Sequence, residues 1–494
     1  MLYQPSECAK RVWLLANKPQ LAADDSDFRE MLQRRGALLE RRHLDSLGEY
    51  KMPQYPERDM YAGLMHTNQL VEASTPVIYQ PVLASSEGFW GIPDFLILDE
   101  RTGRYKVRDA KLAVDLESHT EIYLQAGLYR MAAQGVLGYA PLTEIAAGNG
   151  EVKLIEGASC ESVRQAVAHI RALRELPEEP WEPVGYSKCE ACVFRSTCWE
   201  EAVRQNHVAS VPHVDQGASR KLIELGIETA ERLFEMSEEF IGSLERLRGS
   251  RLSKIGATTA RRIRLQLQAM LQKTPVVVSP IEFPQHVGSR PVVMFDIEND
   301  VFDPDLGVKV YLWGVLVAHE SGQAVPSLSV AGTGIEGDKQ GWFQFLDCAE
   351  EVFERFGDVP FVHYSAHEKT WVRKYIERYG TKNGVAERVL KNLWDMYGAI
   401  RDKLYLPVPS YGLKYVEGLA GFSRSQQQYG GLWSILMYDR YLNAEHSAEA
   451  DSTLQEILVY NTEDLIASLK VYEWLESLHK EYYDCSKPAD AHTD

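Results

Sequence analysis

Two strand-like runs, far apart in the chain, each carry charged side chains at spacing two: RYKVRDAKL (104–112), with Asp109 and Lys111, and PVVMFDIEND (291–300), with Asp296 and Glu298. A β-strand puts residues i and i+2 on one face, so each run predicts a sheet with charge gathered beside its core. Two such sheets need two cores. A length of 494 residues agrees and suggests about three domains. With 45% hydrophobic and 25% charged residues the composition is that of a soluble globular protein. No apolar run approaches the ~18 residues of a membrane span, and VYLWGVLVAH (310–319) suits a buried strand. The start, MLYQPSECAKRVWLL, has no apolar core followed by a small-residue cleavage site. No export signal and no membrane partner are therefore expected, and the location expected is cytoplasmic.

The predicted segments are 1–200, mixed helix and strand; 201–288, wholly helical; 289–482, opening on PVVMFDIE after a proline-containing connector; and a flexible tail, 483–494. The middle segment repeats itself: LIELGIETAERL (222–233) and LSKIGATTARRI (252–263) align at a period of thirty residues. Each copy reads as a helix end, a tight turn at Gly226 or Gly256, and a new helix, and looks like a tandem helix-hairpin-helix module. Such turns aim backbone N–H groups at a phosphate. The stretch 246–264 has seven basic residues and no acid, including Arg251, Lys254, Arg261 and Arg262, in a chain of net charge −18. That overall charge argues against a protein that coats nucleic acid indiscriminately, but local charge decides binding.

In the front segment, GIPDFLIL (91–98) offers Asp94 at a strand start, and the next strand offers Asp109 and Lys111. YLQAGLYR then places Gln125 and Tyr129 one helical turn apart. Carboxylates from adjacent strands suit a hard cation such as Mg²⁺ or Mn²⁺, with the lysine orienting or deprotonating the attacking water. The segment closes on CEACVFRSTC, whose Cys189, Cys192 and Cys198 are three of only seven cysteines. Unevenly clustered cysteines point to a reducing compartment and a metal rather than disulfides. A zinc ribbon uses two cysteine pairs, whereas one remote cysteine, Cys8, plus C-x2-C-x5-C suits a four-thiolate [4Fe-4S] centre.

In the back segment, EILVYNTEDLIASLKVYEWL is an amphipathic helix with Tyr460 and Asp464 one turn apart. Brought together, Asp296, Glu298 and Asp464 could bind two metal ions while Tyr460 holds the water for in-line attack on a phosphodiester.

These motifs resemble known families. Segment 1–200 resembles a RecB-like nuclease of the PD-(D/E)XK superfamily, in the branch with a four-cysteine iron–sulfur cluster, where one cysteine precedes the nuclease core and three follow it. The resemblance implies roles for Asp94, Asp109, Lys111, Gln125 and Tyr129. The family's first motif, G-x-x-x-H, is replaced here by Gly36 and Glu40, with His43 further along, and either could serve. Segment 289–482 resembles an RNase H-like exonuclease of the DEDD type in its tyrosine-bearing form. Glu368, in FVHYSAHEKTWVRKY, stands where that family has an aspartate. YLPVPSYGLKYVEGLAGF (405–422) is similar to the S-Y-x-L-K-x-V-E segment of RecB-like proteins with a fused RNase H-like domain, and Asp395 reads as structural, or as a support behind the metal ligands, rather than as a ligand itself.

The fold class expected is therefore multidomain α/β: a PD-(D/E)XK nuclease core, a helical helix-hairpin-helix-like middle and an RNase H-like α/β domain. The expected activity is that of a metal-dependent nuclease with two sites. Its partner is nucleic acid, with DNA favoured over RNA, in repair, recombination or defence. No protein partner is indicated. An RNA exonuclease, or a binding adaptor whose nuclease cores have decayed, are the alternatives; Glu368 and the missing first-motif histidine favour the latter.

Overall fold

A computed structural model of the chain describes residues 8–486, apart from 118, 183, 249–250, 285–290, 304, 319–325 and 426–429. Of the tail expected at 483–494, the part up to Ser486 continues the last helix, and the rest lies outside the described residues. Two compact units emerge. The first runs to Glu182 and includes Asp300–Lys309; the second takes Pro183–Asn299 and the chain from Val310 onward.

The first unit is built on a five-stranded sheet in the spatial order Val77–Tyr79, Phe95–Asp99, Arg104–Lys111, Thr143–Ala147, Val152–Ile155. All neighbours are antiparallel except the central pair, in which Asp109 lies opposite Ile145 in a parallel ladder. Along Arg104–Lys111 the residues Tyr105, Val107 and Asp109 are buried in strict alternation. Asp109 thus stays on the face that carries the apolar core, with Leu96, Tyr129 and Ala132 among its members. The helix Ser26–Leu47 buries a stripe at Met31, Arg35, Leu39 and Leu44, roughly one residue per turn. Arg35 is the unusual member. Its guanidinium is 4% exposed and meets Asp300, itself 0% exposed, at 2.8 Å.

The second unit opens with an apolar core of its own, formed by residues from Val208 to Leu267. The helices Gln216–Glu224, Ala230–Phe234, Glu238–Ser243 and Ala257–Gln272 enclose it. The expectation of a wholly helical middle is not met: Glu245–Arg248 and Arg251–Lys254 pair as an antiparallel ribbon. RLRGSRLSK alternates cationic and aliphatic residues about a Gly-Ser pair, a period-two pattern with turn chemistry. That pattern outweighs the likeness of LSKI to the helix end in the first copy. The turns themselves are as expected, since Gly226 and Gly256 have φ of 74° and 82°, a region that favours glycine.

The larger sheet of this unit has the order Pro326–Val330, Gly307–Ala318, Val292–Asp303, Phe361–His363, Leu393–Asp395. The first strand in sequence is therefore central. Phe361–His363 and Leu393–Asp395 extend it in parallel, while Pro326–Val330 runs antiparallel to its neighbour. The helix Ser447–Ser486 crosses this sheet so closely that a Cβ on Gly314 would lie 2.0 Å from Asn461 Oδ1. Only glycine at 314 lets that helix bring its polar face to the central strand. Among the described residues no helix is long and apolar enough to cross a membrane.

Candidate active sites

In the first unit, antiparallel pairing of Phe95–Asp99 with Arg104–Lys111 sets Asp94 beside Asp109. The Asp94 amide donates to Asp109 Oδ1 at 3.3 Å, and the Ala110 amide donates to Asp94 Oδ2 at 2.6 Å. Lys111, on the same strand face as Asp109, donates its ammonium to Asp109 Oδ2. Burial, then the charges of Asp109 and Glu40, push the Asp94 carboxyl up to about 8 against the opposing Ala110 amide and Lys111. Glu40 is thus part of the group. Gln80 ties it in: its amide donates to the Asp94 carbonyl at 2.7 Å and its Nε2 to Glu40 Oε1 at 3.1 Å.

His43 faces elsewhere, its Nε2 lying 3.1 Å from Arg108 and its ring against Phe95. Of Glu40 and His43, which the sequence left as alternatives, Glu40 is the one whose charge acts on Asp94. Gln125 Nε2 donates to Tyr129 OH at 2.9 Å. The Tyr129 ring lies over Gly91, where a Cβ would approach it to 2.7 Å. The glycine of G-x-x-D is therefore what allows the Q-x-x-x-Y helix to close on the strand ends.

In the second unit, Asp296 and Glu298 of the central strand meet Asp464 of the helix Ser447–Ser486. Among the described residues this is the one trio of His, Cys, Asp or Glu whose ligand atoms all lie within 4.8 Å of one another. Glu298 and Asp464 are 8% exposed. Burial, then the neighbouring Asp464, Glu298 and Glu368 charges, pushes Asp296 well above its ordinary value. Glu298 is pushed up to about 8 by burial and Asp464. Such crowding of buried like charge is what a divalent cation relieves, so the donor set fits one. Tyr460 is buried beside these acids, whose charges, with burial, raise its hydroxyl pKa. Glu368, also buried, accepts from or shares a proton with His363 Nδ1 at 3.0 Å and faces Asp296 electrostatically. Asp395 caps the helix Met396–Ile400 through the Gly398 amide.

Four residues of this site were not singled out in the sequence. Asn461 Nδ2 donates to Asp296 Oδ2 at 2.6 Å. Arg424 donates through Nε and Nη2 to the two Glu417 oxygens, each at 2.7 Å, and through Nη2 to Asp464 Oδ1 at 2.5 Å. Lys414 Nζ lies 5.6 Å from the Tyr460 ring centroid and faces the Asp464 and Glu298 charges. Lys414 and Glu417 belong to SYGLKYVE, where the signal was present; Arg424 had none.

The remaining expected residues fall as follows. Cys8 caps the helix Ala9–Asn17, its Sγ accepting the Arg11 amide at 3.4 Å. In the other unit Cys189 is buried, while Cys192 and Cys198 are half-buried, on successive turns. Arg251, Lys254 and Arg261 are exposed, and Arg262 pairs with Asp402 at 2.7 Å.

Residues 7–199 match the family model of the PD-(D/E)XK nuclease superfamily, and residues 293–476 match that of the RNase H superfamily. No curated protein and no solved structure matches the chain.

Proposed function

We propose that this chain, a member of the PD-(D/E)XK nuclease superfamily over residues 7–199 and of the RNase H superfamily over residues 293–476, hydrolyses phosphodiester bonds at two separate sites, with DNA as the preferred substrate. The observation that carries the reading is the gathering of Asp296, Glu298 and Asp464 within 4.8 Å, beside a buried tyrosine. A divalent ion bound at such acids supplies Lewis-acid charge to the phosphate and makes water more acidic. In the first site Asp94, Asp109 and Glu40 are the candidate ligands. Lys111, whose ammonium donates to Asp109, orients the attacking water. In the second, Asp296, Glu298 and Asp464 are the ligands, and the Tyr460 hydroxyl holds the water in line with the departing oxygen. This arrangement supports a DEDD-type exonuclease that trims 3′ ends. The exposed Arg251, Lys254 and Arg261 hold the backbone without reading sequence.

The test uses Lys111→Ala, Asp464→Asn and their combination on matched single- and double-stranded DNA and RNA with Mg²⁺ or Mn²⁺. Each single variant is expected to lose one set of products and the combination to lose all cleavage. A double variant that cuts as the parent does overturns the reading, and faster cutting of RNA overturns the substrate preference.

Cys8, Cys189, Cys192 and Cys198 are proposed as ligands of a [4Fe-4S] cluster, on their order along the sequence. Anaerobically purified protein should then be brown and carry about four irons per chain. Colourless protein with stoichiometric zinc would replace the cluster by a zinc site.

A further inference from the structure

The ribbon of Glu245–Arg248 and Arg251–Lys254 has a fixed foot, an exposed tip and two faces of different chemistry. Leu244 and Ile255, which flank its strands, lie in the apolar core of the helical region, and the Ile255 amide donates to the Leu244 carbonyl at 2.9 Å. Arg246, 7% exposed, meets Asp215 at 3.1 Å. The start of the helix Gln216–Glu224 comes so close that a Cβ on Gly217 would lie 1.9 Å from the Leu247 carbonyl oxygen. A two-stranded hairpin is barely stable alone in water, so these contacts are what keep the ribbon formed.

Four rungs carry the tip ~10 Å past that foot. Near it, Leu247 and Leu252 stand opposite each other and are 55% and 59% exposed. One rung further out, Arg248 stands opposite Arg251, both exposed. Like charges directly opposite destabilise a pair of strands, and the run 246–264 holds no acid. The period of two puts the leucines on one face of the ribbon and these arginines on the other. Both pairs call for something outside the chain. A DNA duplex that divides into two single strands supplies it on both sides at once. The last base pair before the fork offers the flat faces of its bases, which an aliphatic wedge can unstack. The departing strand offers phosphates to the arginines. A second copy of this chain could cover the leucines, but it leaves the arginines unanswered.

We propose that the ribbon is a strand-parting wedge for branched DNA, with Leu247 and Leu252 against the base pair at the fork and Arg248 and Arg251 holding one departing strand along the opposite face. The inference rests on the nucleic-acid reading above and adds the form of the substrate, a duplex with a single-stranded branch. Binding alone drives the parting, so it reaches only the base pairs next to the fork and needs no nucleotide hydrolysis.

The experiment uses full-length protein in EDTA and a forked DNA duplex with 2-aminopurine in the base pair at the fork. Emission reports unstacking, and fluorescence anisotropy over a range of salt concentrations reports affinity. The parent should raise the emission several-fold on binding. Leu247→Ser with Leu252→Ser should remove most of that rise at saturating protein. Arg248→Gln with Arg251→Gln should flatten the slope of log affinity against log salt by about 1.5, as expected for two phosphates. All four side chains are exposed, so the variants should melt with the parent, and Leu247→Ala with Leu252→Ala serves if the serine pair does not fold. An absent rise in the parent, a rise kept by the leucine variants, or an unchanged salt slope in the arginine variants overturns the inference. So does a parent that sediments as a dimer and becomes monomeric with the serine pair, since a second copy then covers the leucines. Failure of the nuclease reading looks different: the same fork, with Mg²⁺ or Mn²⁺ added, stays uncut whatever the emission shows.

Discussion

Asp296→Asn is expected to abolish cleavage at the RNase H-like site while making the metal-free protein more stable. The loss follows from removing a cation ligand. Lewis-acid stabilisation is worth several kcal/mol, so the rate should fall by about 10³-fold or more at 1.36 kcal/mol per decade. The gain follows from the charge balance of the folded site. Asp296 is held well above 3.8 by burial and by Asp464, Glu298 and Glu368, with Arg424 opposing, and Glu298 is held at about 8. A carboxyl whose folded pKa is raised binds its proton more tightly in the native state than in the unfolded chain. Its contribution to stability is complete below its unfolded pKa, and is lost as pH climbs from about 4 through the folded value. Metal-free parent protein should therefore melt lower at pH 8 than at pH 5, and the Asp296→Asn variant should show a flatter dependence. Mn²⁺ should raise the melting temperature of the parent far more than that of the variant. Each kcal/mol recovered is worth about 2–4 °C in a domain of this size. A variant that melts lower than the parent in chelator at pH 8 would mean that the acids are not held against their mutual repulsion.

Legibility in the sequence followed the range over which each constraint acts. Asp109 with Lys111, and Asp296 with Glu298, were readable because a strand's period of two fixes their common face whatever surrounds it. Tyr460 with Asp464 was readable by the helix spacing of four. The meeting of Asp296 and Glu298 with Asp464 was readable only through resemblance, since nothing local to either segment demands it. The choice between Glu40 and His43 needed tertiary structure. Three positions along a helix make nearly a full turn, so spacing leaves both side chains on neighbouring parts of one face, and only the packing shows His43 against Phe95 and Arg108. Arg424 was invisible because its partners lie 7 and 40 residues away and it carries no periodic signal. The ribbon at 245–254 was legible in principle, since RLRGSRLSK alternates plainly. There the thirty-residue repeat points to a helix instead, and the local period of two prevails over it.

The largest effect on stability is expected at Arg35, a position that the sequence analysis does not single out. It lies in the buried stripe of the helix Ser26–Leu47, five residues before Glu40, and its Nη1 reaches both oxygens of Asp300, at 2.8 and 2.9 Å, and the Phe302 carbonyl at 3.1 Å. Asp300 is wholly buried, and apart from the Arg35 bonds it receives the Phe302 amide at 2.9 Å. The pair contributes little net stability compared with apolar residues of the same size, because two charges have been taken out of water. Removing one partner is different. Arg35→Met leaves a carboxylate in the interior with, among the described residues, one amide to satisfy it, a cost of about 3–5 kcal/mol. Arg35→Lys should recover only part of this, since a lysine ammonium ends one atom short of where Nη1 makes these bonds. Arg35→Met combined with Asp300→Leu should recover most of it, because neither charge then remains buried. Urea unfolding followed at the first transition separates these outcomes, the chain being too large for a single two-state step. A single Arg35→Met variant as stable as the parent would show that Asp300 does not depend on Arg35. If the double variant stays as unstable as the single, the arginine acts instead by packing its stem against Met31 and Leu39 of the same stripe. In that case the helix that presents Glu40 is held by shape and not by charge.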